Sequence, residues 1–326
     1  MTDAIRPIEL LGAAIGEGAP DRRTRAGPAS LRRWGLGARL SARGRAVRWG
    51  AVVGSDLALM PQGPMAVVGE FSVRLAAALA ESIEGRHLPV VVGGDHSCAV
   101  GTWSGVAASL RRDDPSRRLG LVWVDAHLDA HTPETSPSQM PHGMPIAALL
   151  GHGAPALTEV GDSRPKLRPG DLVLIGPRSW ESGEATLLER LGVRVMTHDE
   201  VLRRGFADCM HEAIARVTSD TDRWGLSFDL DALDPLDAPG TGSRVARGLR
   251  TTEVAAALHG IARDPRFVAA ELVEYNPSLD RERLTAQAAE RVLGAMVDRR
   301  DPAAAGVAPG AERRTARAPV APRGRP

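Results

Sequence analysis

Acidic and imidazole side chains alternate at the start of residues 124–145, and this stretch constrains the chain more than any other. Asp125, His127 and Asp129 directly follow the hydrophobic run Leu119–Val124, which is typical of a buried strand that leads into a loop. In an extended chain, alternate side chains point to the same face. Two carboxylates and an imidazole on one face are costly unless a cation neutralises them. The pattern therefore predicts a metal site at the end of this strand.

The composition is that of a folded protein without a strong overall charge. Of the 326 residues, 43% are hydrophobic and 25% are charged, which is enough for a large core. The formal net charge of +1 argues against a general attraction to nucleic acid or to membranes. We find no signal-peptide pattern and no run of the ~18–20 apolar residues that spans a bilayer. The two cysteines, Cys98 and Cys209, are far apart, so we expect reduced thiols and a cytoplasmic protein.

Apolar strand-like runs alternate with helical periodicity along most of the chain. This alternation predicts an α/β fold, a single three-layer α/β/α domain with a mostly parallel, doubly wound sheet. Predicted strands cover residues 8–15, 88–92, 119–124, 171–175, 193–196, 224–228 and 267–273. Predicted helices cover residues 64–85, 98–110, 184–191, 201–217, 251–263 and 281–297, and the Thr-Thr-Glu at 251–253 is expected to cap its helix.

Two segments fall outside this alternation. The basic residues 39–48 are interpreted as a solvated loop. Residues 301–326 are dominated by Pro, Ala, Gly and Arg, which is typical of a disordered tail. We therefore predict one catalytic domain over residues 1–300, followed by a tail over residues 301–326.

Further acids and imidazoles follow other predicted strands. Because ligands in parallel α/β sheets bind beyond the carboxyl ends of the strands, we expect these side chains to converge at one edge. The set comprises His96, Asp125, His127, Asp129, Asp229, Asp231 and, after the last strand, Glu274. Without Glu274 this is four carboxylates and two imidazoles, more than one divalent ion can use. Two ions that share carboxylates can use them all and can acidify a water molecule, and mixed oxygen and imidazole ligands suit Mn²⁺. Co²⁺, Ni²⁺ or Fe²⁺ remain possible occupants. His142, near the end of the stretch at residues 124–145, is a candidate proton shuttle.

Four motifs resemble the ureohydrolase family, which includes arginase and agmatinase. They are Gly93-Gly-Asp-His-Ser97, Asp125-Ala-His-Leu-Asp129, Ser227-Phe-Asp-Leu-Asp-Ala-Leu-Asp-Pro235 and Glu271-Leu-Val-Glu-Tyr-Asn-Pro277. The resemblance covers residues 5–299 and implies a binuclear Mn²⁺ site in a three-layer fold. It implies that one ion is held by His96, Asp125, Asp129 and Asp229, and that the other is held by Asp125, His127, Asp229 and Asp231. The implied reaction is hydrolysis of a guanidino group to urea and an amine.

The resemblance also implies roles for residues near the substrate. Glu274 matches the carboxylate that grips the guanidinium group, Asp231 a carboxylate that takes a proton from the attacking oxygen, and His142 a shuttle to solvent. The loop from Thr132 to His142 is closer to arginases than to agmatinases. Ser138 matches a hydroxyl that contacts the substrate α-carboxylate, and Glu181 matches an acid near the α-amino group. His131 and Thr241 complete the predicted substrate-binding set.

This sequence departs from the arginase pattern where the amino-acid end of the substrate would bind. His131 stands where arginases have Asn, Gln139-Met140 stands where they have Gly-Asn, and Arg244 stands where a proline is usual. From the four motifs, the first prediction is an arginase-like enzyme that converts L-arginine to L-ornithine and urea. The alternatives are hydrolysis of another guanidino compound, such as a guanidino acid, agmatine, or a modified or peptidyl arginine, and a metal-binding homologue without turnover. The family is commonly trimeric or hexameric, so the resemblance implies a homo-oligomer; we expect no membrane or nucleic-acid partner.

Overall fold

A single parallel β-sheet forms the centre of the protein. The computed structural model describes residues 6–298, so the predicted tail at residues 301–326 lies outside the described residues. Within them the sheet has eight strands in the order β2-β1-β3-β8-β7-β4-β5-β6, and all neighbouring strands are parallel. The strands are β1 (Ile8–Ala14), β2 (Val47–Gly54), β3 (Leu88–Gly93), β4 (Leu119–Val124), β5 (Leu172–Ile175), β6 (Arg194–Met196), β7 (Arg223–Asp229) and β8 (Phe267–Val273).

Helices cover both faces of the sheet, which confirms the predicted α/β/α fold. One hydrophobic core joins the sheet to α1 (Gly27–Arg33), α2 (Leu36–Ser41), α8 (His198–Arg204), α9 (Phe206–Val217), α10 (Thr251–Ala257) and α11 (Leu284–Val297). The other joins it to α3 (Pro64–Glu84), α4 (Ala99–Arg111), α5 (Pro145–Leu149), α6 (Pro155–Thr158) and α7 (Ser182–Leu191). Successive residues of the central strands enter opposite cores: Val122 and Val124 belong to the first, Leu121 and Trp123 to the second. No helix of the described chain is long and apolar enough to cross a membrane.

Three predictions about individual elements were wrong. The basic stretch at residues 39–48 includes the end of α2 and the start of β2. This strand pairs with β1 alone and most of its residues are half-buried or exposed, so it lacks the apolar run that marks a buried strand. The helix predicted at residues 201–217 is two helices, because the chain turns at Gly205, whose φ of 90° is unfavourable for other residues. The helix predicted at residues 251–263 ends at Ala257, and its N-cap is Arg250 without a side-chain cap.

The strand order places four carboxyl ends side by side at the centre of the sheet. The chain builds β1 to β3 on one side and β4 to β6 on the other, and β8 and β7 then fill the space between β3 and β4. Such a reversal of strand order is where parallel α/β sheets bind ligands. The carboxyl ends of β3, β8, β7 and β4 are therefore the expected location of a site.

Gly120 allows α9 to pack closely against β4. A Cβ atom at this position would lie 2.1 Å from the carbonyl oxygen of Val217, which is backbone and cannot rotate away. We expect Gly120→Ala to lower the free energy of unfolding by about 1–3 kcal/mol, measured by urea denaturation. Gly170→Ala is the matched control, because its Cβ would meet nothing within 4 Å. Equal stability of the two variants would contradict the close packing.

Candidate metal centre and active site

The predicted site residues follow the four adjacent strands. His96 lies in the short 3₁₀ turn after β3, and Glu274 directly follows β8. Asp229 ends β7, with Asp231 in the turn that follows it, and Asp125 directly follows β4. The expectation that these side chains meet at one edge of the sheet therefore agrees with the geometry.

Three carboxylates surround the imidazole of His96. Its Nδ1 atom lies 3.2 Å from Asp125 Oδ2, 3.1 Å from Asp129 Oδ2 and 3.0 Å from Asp229 Oδ2. All four side chains are buried or nearly so. Asp129 and Glu274 adopt left-handed backbone conformations, with φ of 46° and 64°, which are uncommon for non-glycine residues and cluster at functional sites.

A second group forms around the imidazole of His127. Its Nδ1 atom lies 3.5 Å from Asp125 Oδ1 and 3.2 Å from Asp231 Oδ2. Asp125 thus offers one oxygen to each imidazole and joins the two groups. Backbone amides hold the acids in place: Asp125 Oδ1 accepts from the His127 N–H, and Asp229 Oδ1 accepts from the Asp231 N–H.

A hydrogen-bond chain orients His96 from behind. Ser227 Oγ donates a 2.6 Å hydrogen bond to Glu271 Oε1 and lies 2.9 Å from His96 Nε2. Because the Ser227 hydrogen is used by Glu271, Ser227 Oγ can accept a hydrogen bond from His96 Nε2. Trp103 Nε1 donates to the same glutamate oxygen, and the ring of Trp123 stacks on His96 at 4.2 Å. These contacts leave Nδ1 facing the carboxylates, and within the described protein that atom has no hydrogen-bond partner of acceptable geometry.

The cluster attracts positive charge. Burial, together with Asp231 and Asp125, raises the pKa of Asp229 well above its usual value, and burial with Asp125 raises the pKa of Asp129 to about 7. Burial lowers the pKa of His96, but its contacts with Asp125, Asp129 and Asp229 raise it well above the usual value overall. For the two aspartates, burial and the neighbouring carboxylates disfavour the negative charge, whereas for His96 the surrounding carboxylates favour the positive charge.

These observations fit divalent cations. Two sets of side chains, His96-Asp125-Asp229 and Asp125-His127-Asp231, each bring possible ligand atoms within 4.8 Å of one another. Carboxylate oxygens with one imidazole nitrogen are a donor set that Mn²⁺ accepts well. The residues therefore fit a pair of cations that share Asp125, although their assignment as ligands remains a prediction.

Metal affinity is expected to rise with pH. A cation must displace the proton that the raised pKa of Asp129, about 7, retains. Because this proton is bound below that pKa and lost above it, the Kd for Mn²⁺ should fall between about pH 6 and about pH 8, as measured by calorimetry. A Kd that does not change over this interval would contradict the competition.

Ser227 gives a test of the support behind His96. Ser227→Ala removes the partner of His96 Nε2 but leaves every candidate ligand in place. We expect a 10- to 100-fold weaker Mn²⁺ affinity, roughly the effect of losing a residue that orients a metal ligand. Ser109→Ala, which removes a hydroxyl on α4 away from this network, should leave the affinity unchanged. Equal affinities in the two variants would exclude the orienting role.

Glu274 and His142 lie beside the cluster. Glu274 Oε1 accepts a 2.8 Å hydrogen bond from the His96 N–H and lies 3.8 Å from His142 Nδ1. Burial lowers the pKa of His142, but the carboxylate of Glu274 raises it to about 9 overall. His142 therefore carries a proton at neutral pH and can donate it.

The predicted substrate-binding residues divide into two groups. Ser138, His131, Glu181 and Glu274 line one cavity of 180 Å³ together with the acids and imidazoles, whereas Thr241 is buried and does not line it; Ser243 lines it instead. The sequence reasoning also missed Glu184, which lies 3.3 Å from His131 Nε2. Glu181 and Glu184 form a reciprocal capping box at the start of α7, and their three-residue spacing is the sequence signal that could have found Glu184.

The fold and the site together define an α/β protein with a buried centre suited to divalent cations. The model of the Arginase family matches residues 6–297. The chain is 39% identical to an arginase from Bacillus caldovelox over 299 residues, 90% of this chain and 98% of that one. It is 37% identical to an arginase from Brevibacillus brevis, over 89% of this chain and 97% of that one. The crystal structure of arginase from Bacillus subtilis superposes with a TM-score of 0.82 at 34% identity, over 90% of this chain and 99% of that chain.

The chain belongs to the arginase family. Both the matched range and the identity extend over nearly all of the described residues, so the assignment covers the whole fold. The resemblance seen in the four motifs is thereby confirmed, and the protein is an arginase-family hydrolase.

Proposed function

We propose that the protein is a manganese-dependent hydrolase that cleaves a guanidino group to urea and an amine. The observation that carries this proposal is the arrangement at four adjacent strand ends: two imidazoles and four aspartates in contact, with the carboxylate of Glu274 beside them. The two relatives described above are both named arginase, and their similarity to this chain supports the same class of reaction.

Two Mn²⁺ ions are the proposed cofactor. His96, Asp125, Asp129 and Asp229 would hold one, and Asp125, His127, Asp229 and Asp231 would hold the other. When bound, such a pair supplies Lewis acidity that makes water a nucleophile at neutral pH. The buried carboxylates retain protons in the absence of cations, which supports this assignment.

The residues around this centre bind the substrate and move protons. Glu274 pairs with the planar guanidinium group through a charge-assisted hydrogen bond and presents its carbon to the acidic cluster. As a water oxygen adds to that carbon, Asp231 takes a proton from the oxygen. The carbon–nitrogen bond to the leaving amine then breaks, and the amine needs a proton. His142, whose pKa of about 9 keeps it protonated at neutral pH, is suited to supply that proton and to regain one from solvent.

L-Arginine is the first candidate substrate, because the four motifs resemble those of arginases and both relatives are named arginase. A different guanidino compound is the second candidate. The observation that favours it is the contact of His131 with Glu181 at 2.9 Å, in the cavity that Glu274 also lines.

Product analysis tests the proposal. The Mn²⁺-loaded protein is incubated with L-arginine, agmatine, 4-guanidinobutyrate, 3-guanidinopropionate and an arginine peptide. We expect at least one to release urea and the matching amine in equal amounts. Absence of urea from every compound, with Mn²⁺ shown to be bound, would contradict the proposed reaction.

Three further features belong to the proposal. The catalytic domain spans residues 1–300, the protein acts in the cytoplasm, and it assembles as a homo-oligomer, a trimer or a hexamer, as the family resemblance implies. Its partner is a small guanidino substrate rather than a nucleic acid or a membrane.

A further inference from the structure

The cavity that holds the acidic cluster also contains a second group of titratable side chains. We call this group, His131, Glu181 and Glu184, the distal cluster. His131 Nε2 lies 2.9 Å from Glu181 Oε2 and 3.3 Å from Glu184 Oε2. Because Glu274 and the distal cluster line the same cavity, a substrate whose guanidino group pairs with Glu274 would extend its other end toward the distal cluster.

The distal cluster presents a carboxylate to that end of the substrate. The Glu184 side chain is buried, and its two oxygens already accept from the N–H groups of Ala130 and Glu181. The Glu181 side chain, by contrast, is 60% exposed, so it remains accessible to a ligand. A carboxylate in this position favours a donor with a positive charge, such as an ammonium group.

The loop at residues 132–140 forms a wall of the cavity at Pro137 and Ser138 and offers little to an anion. In the loop at residues 132–140, Gln139 Nε2 donates to the carbonyl oxygens of Pro133 and Ser136, at 2.6 and 2.7 Å. The N–H groups of Gln139 and Met140 donate to Ser136 Oγ and Ser138 Oγ. These donors are used within the loop, so a carboxylate would meet the neutral hydroxyl of Ser138 on this wall.

Among the described residues, no side chain with a permanent positive charge lines the cavity to offset this lack of anion-binding groups. Among the described residues that line the cavity there is no lysine or arginine, and the acids that line it are Asp129, Glu181, Glu184, Asp229, Asp231 and Glu274. The three aspartates are assigned to cations and Glu274 to the guanidinium, which leaves the carboxylates of Glu181 and Glu184. His131 already contacts both of these carboxylates, so it offers a substrate anion no uncompensated partner. The protonated His142 also lines the cavity, but it lies 3.8 Å from Glu274, beside the carboxylate assigned to the guanidinium group. A substrate carboxylate at the distal cluster would therefore lose its hydration and gain no cationic partner.

We infer that the distal cluster selects guanidino compounds that end in an ammonium group and rejects those that end in a free carboxylate. This inference rests on the proposed hydrolysis of a guanidino group and narrows its substrate class. Arginine without its carboxylate, or with that carboxylate blocked as an amide or a peptide bond, is then a better substrate than free L-arginine.

Four guanidines that share one four-carbon chain separate the two charges. L-Arginine has both the ammonium and the carboxylate, agmatine has the ammonium alone, 5-guanidinopentanoate has the carboxylate alone, and butylguanidine has neither. For the Mn²⁺-loaded full chain we expect kcat/KM to be highest for agmatine and lowest for 5-guanidinopentanoate. The ratio of agmatine to L-arginine should be at least about ten-fold, the contribution of one charge-assisted interaction.

Binding of the corresponding amines gives a readout that does not depend on turnover. L-Ornithine, 1,4-diaminobutane, 5-aminopentanoate and butylamine contain no bond that this reaction would cleave, so their Kd values can be measured by calorimetry. We expect 1,4-diaminobutane to bind most tightly and 5-aminopentanoate most weakly.

Variants test whether Glu181 is responsible. Glu181→Gln keeps a hydrogen-bond acceptor for the start of α7 but removes the charge. We expect it to reduce the ratio of kcat/KM for agmatine to that for butylguanidine by about ten-fold. Glu189→Gln, an exposed position on the same helix, is the matched control and should leave the ratio unchanged.

Each outcome decides one question. A kcat/KM for L-arginine equal to or above that for agmatine would overturn the inference while leaving the proposed reaction intact. Absence of urea from all four guanidines would overturn the proposed reaction. The amines would then test the selectivity of the distal cluster, and equal Kd values for 1,4-diaminobutane and L-ornithine would overturn the inference. An unchanged ratio in Glu181→Gln would show that Glu181 does not select the ammonium group.

Discussion

Replacing Asp229 by alanine is expected to abolish urea release. Asp229 Oδ2 lies 3.0 Å from His96 Nδ1, and its Oδ1 accepts from the Asp231 N–H, so it belongs to one group of candidate ligands and positions an acid of the other. Loss of a residue that only supports a ligand weakens metal binding up to about 100-fold, and loss of a shared ligand should exceed this. We therefore expect turnover to fall more than about 100-fold, together with a loss of bound Mn²⁺ measured by elemental analysis.

The fold should survive this substitution. The raised pKa of Asp229 shows that its charge is unfavourable where it is buried, so its removal does not remove a stabilising charge from the metal-free protein. Asp113→Ala, at an exposed position after α4, is the control and should keep full activity and metal content. Unchanged turnover of Asp229→Ala at saturating Mn²⁺ would exclude the shared role.

Replacing Glu274 by glutamine is expected to separate substrate binding from metal binding. In the wild-type protein, Glu274 Oε1 accepts a 2.8 Å hydrogen bond from the His96 N–H. Glutamine keeps an oxygen that can accept this bond, but it loses the charge that would pair with the guanidinium group. Hydrogen bonds to charged groups contribute roughly 1.5–3 kcal/mol, so kcat/KM should fall by about 10- to 100-fold while Mn²⁺ content stays the same.

The pH profile of the same variant offers a second readout. The raised pKa of His142, about 9, depends on Glu274, so the substitution should lower the pKa of His142. A proton on His142 would then be lost at a lower pH, and the alkaline limb of the kcat profile should shift downward. Glu81→Gln, on the exposed face of α3, is the control. A variant that retains the wild-type kcat/KM, or that loses metal along with activity, would contradict the role given to Glu274.

Much of the fold and of the metal centre follows from short-range patterns. The strand predicted at residues 267–273 has the bounds of β8, because its seven buried residues are apolar apart from Glu271 and are followed by the charged Glu274. The convergence of His96, Asp125 and Asp229 could be expected from the sequence because parallel strands place their carboxyl ends at one edge.

Features that depend on exposure or on distant contacts could not be predicted in this way. Strand β2 is an edge strand with exposed Arg48, so its pattern does not differ from that of a surface loop. The separation of α8 from α9 depends on the backbone conformation of Gly205. The apolar periodicity continues across this residue, so it does not reveal the break.

The distal cluster shows the same limit within the site. His131 follows β4 and Glu181 follows β5, fifty residues later, and nothing in either segment alone indicates that they share a hydrogen bond. The sequence shows that arginase-like residues are replaced at His131 and Met140, but only the contacts show which charges remain to meet a substrate.

Titration of the metal-free protein with Mn²⁺ is the most direct test of the paired metal centre. Urea release from a guanidino substrate identified with the panel above is followed as equivalents of Mn²⁺ are added. We predict no release without metal and a plateau at two equivalents per chain, since Asp125 joins two groups of candidate ligands. Full urea release by the metal-free protein, or a plateau at one equivalent, would contradict a reaction that depends on two cations.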